Sequence, residues 1–118
     1  MSKDPSETRV FESVAELFSV LSTPVRLMII SAVCQRGEMN VSELLAEIDT
    51  TQPNMSQHLN VLYRRGILGR RRAGTAIYYR LESEMVATLC RAVCTQVAIE
   101  LDGDASVDSS ARLLPARH

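Results

Sequence analysis

Residues 50–81, TTQPNMSQHLNVLYRRGILGRRRAGTAIYYRL, hold six arginines and no acidic residue in a chain that is otherwise net acidic. The hydrophobic period changes halfway along this stretch. Met55, Leu59 and Leu62 recur at helical spacing, whereas the second half reads as two short strands, 68–73 and 75–81, joined by a tight Ala73-Gly74 turn. A polar-faced helix followed at once by an arginine-rich hairpin is how a winged helix-turn-helix grips DNA. A solvated helix face and an aggregation-resistant edge hairpin would account for each piece alone, but not for their adjacency.

Upstream, Val10, Val14, Leu17, Phe18 and Leu21 give residues 7–21 one apolar face. Ser22 or Thr23 can cap a second helix that starts at Pro24 and runs to about Gln35. Its LMIISAV run is apolar on nearly all sides and predicts deep burial. Gly37 stops it, Met39-Asn40-Val41 suits a short strand, and Ser42 can cap a third helix carrying Leu44, Leu45 and Ile48. Thr51 can cap the fourth helix, 52–65, which Gly66 ends, and a fifth spans about 83–101. The expected fold is mainly α with a small β-hairpin, in the order α-α-(β)-α-α-β-β-α. The expected organisation is a frayed 1–6, one winged helix-turn-helix DNA-binding and dimerisation domain over 7–101, and a disordered tail at 102–118.

The totals agree with a small helical domain. The 118 residues are 46% apolar, with no Trp and five Phe or Tyr, so the core is aliphatic. The net charge of −1 does not advertise nucleic acid, but its distribution does: the acids lie in the first fifty and last forty residues. The sequence shows no membrane span and no basic-then-apolar leader, which makes the cytoplasm the expected location. Three cysteines, an odd number, do not suggest a secreted disulfide scaffold.

With Met55 turned inward, Pro53, Gln57, Asn60 and Arg64 face away from the core, flanked by Gln52 and Ser56. Amides and hydroxyls on such a face can read base edges in a major groove, Gln57 by paired bonds to adenine. Thr51 and Ser56 suit a phosphate or a base edge. Arg70, Arg71, Arg72 and Thr75 in the wing suit phosphate or minor-groove contacts. His58 sits at the margin of the inner face with only His118 as a fellow, and is expected to be a hydrogen-bonded structural histidine, not a metal ligand.

The runs STPVRLMII, GEMNVSELL, TQPNMSQHLNVLYRRGIL and RRRAGTAIYYRL together resemble the ArsR/SmtB family of bacterial repressors, over residues 11–101. The resemblance implies a homodimer built by the first and last helices. It also implies a recognition helix at 52–65, a wing around Gly74, double-stranded operator DNA as partner, and repression relieved by an inducer. By match to the family pattern, Gln52, Pro53, Ser56 and Gln57 come nearest the bases. Pro53 departs from the usual small polar residue and has no backbone N–H to donate.

The inducer sites of the family can be checked residue by residue. Where arsenic and cadmium sensors carry a CVC triplet, this chain has Asn40-Val41-Ser42, without a thiolate. Where zinc and nickel sensors place ligands on the last helix, it has Ser83, Met85, Gln96 and Ile99. Neither metal site is present, and no cofactor is expected. The remaining candidates are Cys34 on the second helix and Cys90 and Cys94, one turn apart, on the last; as bland an origin as small buried packing residues is the alternative for each. Family members that sense persulfide or related sulfur species use one cysteine on each of these helices. Cys34 lies one turn later than the usual position and Cys94 one turn earlier, so antiparallel packing would bring them face to face. The resemblance therefore implies a thiol-based repressor of the persulfide-sensing type. The alternatives are an arsenite or soft-metalloid sensor using all three thiolates, and a DNA-binding module with no inducer. No nucleophile–base pair, paired acids or phosphate loop suggests catalysis, and the CxxxC spacing is not that of a redox enzyme, so the chain is not expected to be an enzyme.

Overall fold

Asp4 opens the first helix: its carboxylate accepts from the Ser6 N–H at 3.1 Å, and Pro5, with no N–H to leave unpaired, supplies the first helical residue. The computed structural model describes residues 4–104. In order they form α1 (Pro5–Val20), α2 (Pro24–Arg36), β1 (Glu38–Asn40), α3 (Val41–Glu47), α4 (Gln52–Arg64), β2 (Leu68–Ala73), β3 (Ala76–Leu81) and α5 (Glu84–Asp104). The strands make one antiparallel sheet in the order β1-β3-β2. This is a winged helix-turn-helix, mainly helical, as the period change in residues 50–81 predicts.

Several boundaries differ from the sequence expectation, each for a local reason. Residues 4–6, expected to fray, are the cap and first turn of α1, because an Asp-Pro pair is itself a helix start; residues 1–3 lie outside the described ones. At the other end, residues 102–104 extend α5 and are not tail. One glycine costs a helix only about 1 kcal/mol against alanine, so Asp102-Gly103 does not break it. The expected tail from residue 105 onward lies outside the described residues.

The cap of α3 is Asn40, not Ser42. Its side chain accepts from the Glu43 N–H at 2.8 Å, and the Glu43 carboxylate accepts from the Asn40 N–H at 2.9 Å. That reciprocal box satisfies two orphan donors, which a serine two residues later cannot do. The wing turn falls one residue later than expected, at Gly74-Thr75 between the paired Ala73 and Ala76. Gly74 takes φ +65°, a left-handed conformation that favours glycine, and so sets where the chain reverses.

The core forms around α2, where residues 29–33 are all buried. Met55, Leu59 and Leu62 of α4 are wholly buried against it, together with Met39, Leu44, Leu68 and Val86. Each such side chain contributes about 1.5–3 kcal/mol on leaving water, which fixes the roll of α4 and therefore which of its residues face out. The outer helices behave differently. Val10, Phe11, Val14 and Phe18 on α1, and Val93, Val97 and Leu101 on α5, stay exposed in the single chain.

Candidate nucleic-acid interface and thiol cluster

Thr51 begins the reading helix: its hydroxyl accepts from the Asn54 N–H at 3.2 Å and caps α4, as expected. Gln52, Pro53, Ser56, Gln57, Asn60 and Arg64 are all exposed, on the side opposite Met55, Leu59 and Leu62. With Thr51 at the helix mouth, amides, hydroxyls and one cation project from a single rigid surface. Ser42, free of capping duty, joins Ser56 and Thr75 on a groove between α3, α4 and the wing turn.

The three wing arginines do not point the same way, because side chains alternate across a strand. Arg70 and Arg72 share the sheet face of Leu68, and Arg70 lies over the Tyr63 ring of α4, 3.9 Å from its centroid. Arg71 is on the opposite face. Its Nε and Nη2 each donate to a Glu38 carboxylate oxygen at 2.8 Å, and its guanidinium lies 5.0 Å from the centre of the Tyr78 ring. The paired bonds to Arg71 hold the Glu38 carboxyl below its ordinary range, and the same bonds raise the Arg71 guanidinium. Arg70 and Arg72 thus offer free charge beside α4, while the charge of Arg71 is compensated within the protein. Tyr63 and Glu38, which the sequence did not single out, decide this division.

His58 is hydrogen-bonded, as its place at the helix margin suggested. Its Nδ1 accepts from Arg26 Nε at 3.1 Å, and the same guanidinium donates through Nη1 to the Val20 carbonyl at 3.0 Å. Burial first, and the Arg26 charge second, hold the imidazole pKa below its usual 6.5.

All three cysteines are free thiols gathered where α2, α5 and the end of α1 meet; Cys90 is buried, and Cys34 and Cys94 are half-buried. Burial, reinforced by the charges of Cys94 and then Cys34, pushes the Cys90 thiol up to about 11, and burial also raises Cys94. Cys90 therefore stands within electrostatic reach of both other sulfurs. Cys34 has a different neighbour: Arg91 Nη2 approaches its Sγ at 3.9 Å, a weak donor contact. Arg91 was not foreseen; a lone cation on an otherwise apolar stretch of α5 was the available signal. Cys90 and Cys94 also line an apolar cavity of about 260 Å³ with Phe18, Leu21 and Leu27. Among the described residues, no three His, Cys, Asp or Glu side chains converge in a way that could hold a metal ion. No single described helix is long and apolar enough to cross a membrane.

Comparison with known proteins bears on the same region. The model of the family described as "Bacterial regulatory protein, arsR family" matches residues 23–69, from the cap of α2 into β2. The biofilm growth-associated repressor of Xylella fastidiosa (strain Temecula1) is 41% identical over 100 residues, which cover 81% of this chain and 86% of the relative. The crystal structure of the transcriptional repressor BigR from Xylella fastidiosa superposes with a TM-score of 0.67 at 41% identity, covering 80% of this chain and 95% of that one. A solution structure from Mycobacterium bovis, described as a homodimeric winged helix-turn-helix DNA-binding domain, gives 0.68 at 28% identity and covers 85% and 90%.

Proposed function

The chain belongs to the arsR family of bacterial regulatory proteins and is a DNA-binding transcriptional repressor of that type; on this premise we propose how it reads DNA and what releases it. Two copies associate through the exposed apolar faces of α1 and α5 and present two α4 helices to successive major grooves, about 34 Å apart. Gln52, Pro53, Ser56, Gln57 and Asn60 meet base edges. Thr51, Arg64, Arg70, Arg72 and Thr75 meet the backbone, with Arg71 contributing less because Glu38 already pairs it. The observation that carries this reading is the roll of α4: three buried residues on one side and exposed Gln52, Ser56, Gln57, Asn60 and Arg64 on the other.

Release is proposed to act through the thiols. Cys34, half-buried and with the Arg91 guanidinium 3.9 Å from its sulfur, is the entry point. The Cys34 thiolate attacks the outer sulfur of a hydropersulfide R–S–SH. The Cys34 persulfide forms and R–S⁻ leaves. A thiolate on α5 then attacks the inner Cys34 sulfur and expels HS⁻, leaving a disulfide that ties α2 to α5. Register alone favours Cys94 as the second thiol. Cys90 is the less ready nucleophile, since burial and the charges of Cys94 and Cys34 raise its thiol to about 11. The three-thiolate metalloid alternative lacks a convergent ligand set among the described residues.

The test is fluorescence anisotropy on a duplex selected from random sequence, with reduced and polysulfide-treated protein. A coupling of ~1–3 kcal/mol predicts roughly 5- to 150-fold weaker binding after treatment. Cys34→Ser should abolish that response, and peptide mass mapping identifies the partner sulfur. An unchanged response in Cys34→Ser, or release by arsenite and not by polysulfide, would sink the sulfur reading while leaving DNA binding intact.

A further inference from the structure

Arg26 sits at a junction of three helices. It lies in the first turn of α2, where its own N–H is held by the Thr23 hydroxyl at 3.3 Å. Its half-buried guanidinium then reaches both ways: Nη1 to the Val20 carbonyl and Nε to His58 Nδ1. Val20 is the last residue of α1, where carbonyls have no helical partner and a cation is favoured. His58 is on the reading helix, directly after Gln57 and directly before buried Leu59. Because Nδ1 accepts, the imidazole must be neutral, with its proton on Nε2. One rigid fork thus joins the end of the first helix to the helix that reads DNA.

We propose that Arg26 is a positioning residue for DNA recognition: through Val20 and His58 it fixes the roll of α4 against the end of α1. The proposal rests on the assignment of α4 as the reading element. It also gives the thiol region a physical route to that element. Phe18 and Leu21, in and next to the last turn of α1, form a wall of the apolar cavity that Cys90 and Cys94 line. A displacement of that wall moves the Val20 carbonyl, and with it the guanidinium that holds His58. Among the described residues, Arg26 on α2 is the charged group that bears on the ring.

The experiment compares full-length dimers on a selected duplex and a random duplex of equal length. His58→Asn keeps an acceptor where Nδ1 stands but cannot take up a proton; His58→Leu removes the acceptor. At pH 7.5 the Leu variant should lose roughly tenfold in the ratio of selected to random affinity, and the Asn variant less than about twofold. On lowering the pH from 7.5 to 4.5, far enough to charge an imidazole that burial and Arg26 hold down, the wild-type ratio should fall as the ring ceases to accept, while the Asn variant holds. Should the Leu variant fail to fold by thermal melt, the two pH profiles decide alone. Equal losses in both variants, no loss in either, or superimposable pH profiles would overturn the positioning role. A wild-type protein that does not discriminate the two duplexes at all would instead overturn the assignment of α4, and is seen before any variant is made.

Discussion

The molecule has two exposed faces that are chemical opposites. The α4–wing face is built mostly of amides, hydroxyls and guanidiniums, with Met55, Leu59 and Leu62 turned inward and Pro53 and Tyr63 as its exposed apolar members. The α1–α5 face leaves Phe11 at 63% and Val97 at 45% exposure, beside Val10, Val14, Phe18 and Val93. The first surface is at home in water or against a polyanion; the second is at home in neither. Large apolar patches mark contact surfaces, which is why the polar face is the one proposed to meet nucleic acid and the apolar face a second copy.

Charging the apolar face should have the largest effect. Phe11→Asp with Val97→Asp leaves each fold intact, since both side chains are exposed within one chain, but makes the patches repel. Sedimentation should show monomers, and affinity for a palindromic duplex should fall by roughly 100-fold or more as two linked contacts become one. Dimers that persist with full affinity would break the division of labour between the faces.

On the polar face, Gln57→Ala should cost ~1–3 kcal/mol on the selected duplex and little on a random one, because it removes a base contact. Arg72→Ala should weaken both duplexes alike and lower the slope of log affinity against log salt by about 1. Arg71→Ala together with Glu38→Gln should change either affinity less than about twofold, since the two charges already cancel within the protein. Binding isotherms from 50 to 200 mM salt separate the three behaviours. A paired variant as impaired as the Arg72 variant would show that the wing releases Glu38 when it meets DNA.

The two faces were not equally legible in the sequence. The α4–wing unit was, because its signals are local: inward residues at positions 55, 59 and 62, Thr51 before the helix, and a glycine at the hairpin turn. The burial of α2 was legible for the same reason. The apolar stripe of α1 was visible, but periodicity cannot say whether a stripe is covered by its own chain or by another. What was missed is nonlocal. Arg26 meets His58 across 32 positions, Arg71 meets Glu38 across 33, and Arg91 meets Cys34 across 57. An arginine has no spacing that announces its partner; only the packed helices and sheet choose it. Of the expected caps, Thr23 and Thr51 hold, and that of α3 erred by two residues, where Asn40 and Ser42 competed for the same role.

The smallest effect separates the faces by titration. Cys90 is raised to about 11 by burial and neighbouring thiol charge, so folding favours its protonated form. A raised pKa adds stability that is complete below the unfolded thiol value near 9 and is lost as the pH climbs towards 11. Denaturation midpoints at pH 7.5, 9 and 10.5 should therefore decline, and the decline should be shallower in Cys90→Ala. It should not vanish, because burial also raises Cys94. On the opposite face, Glu38 holds the Arg71 guanidinium above its ordinary range, well clear of this window. Loss of stability with alkali is thus assigned to the thiol region, and equal slopes in wild type and Cys90→Ala would refute that assignment. Such a result would mean that the Cys90 thiol meets water more freely than its packing against Leu21 of the α1 end and Leu27 of α2 allows.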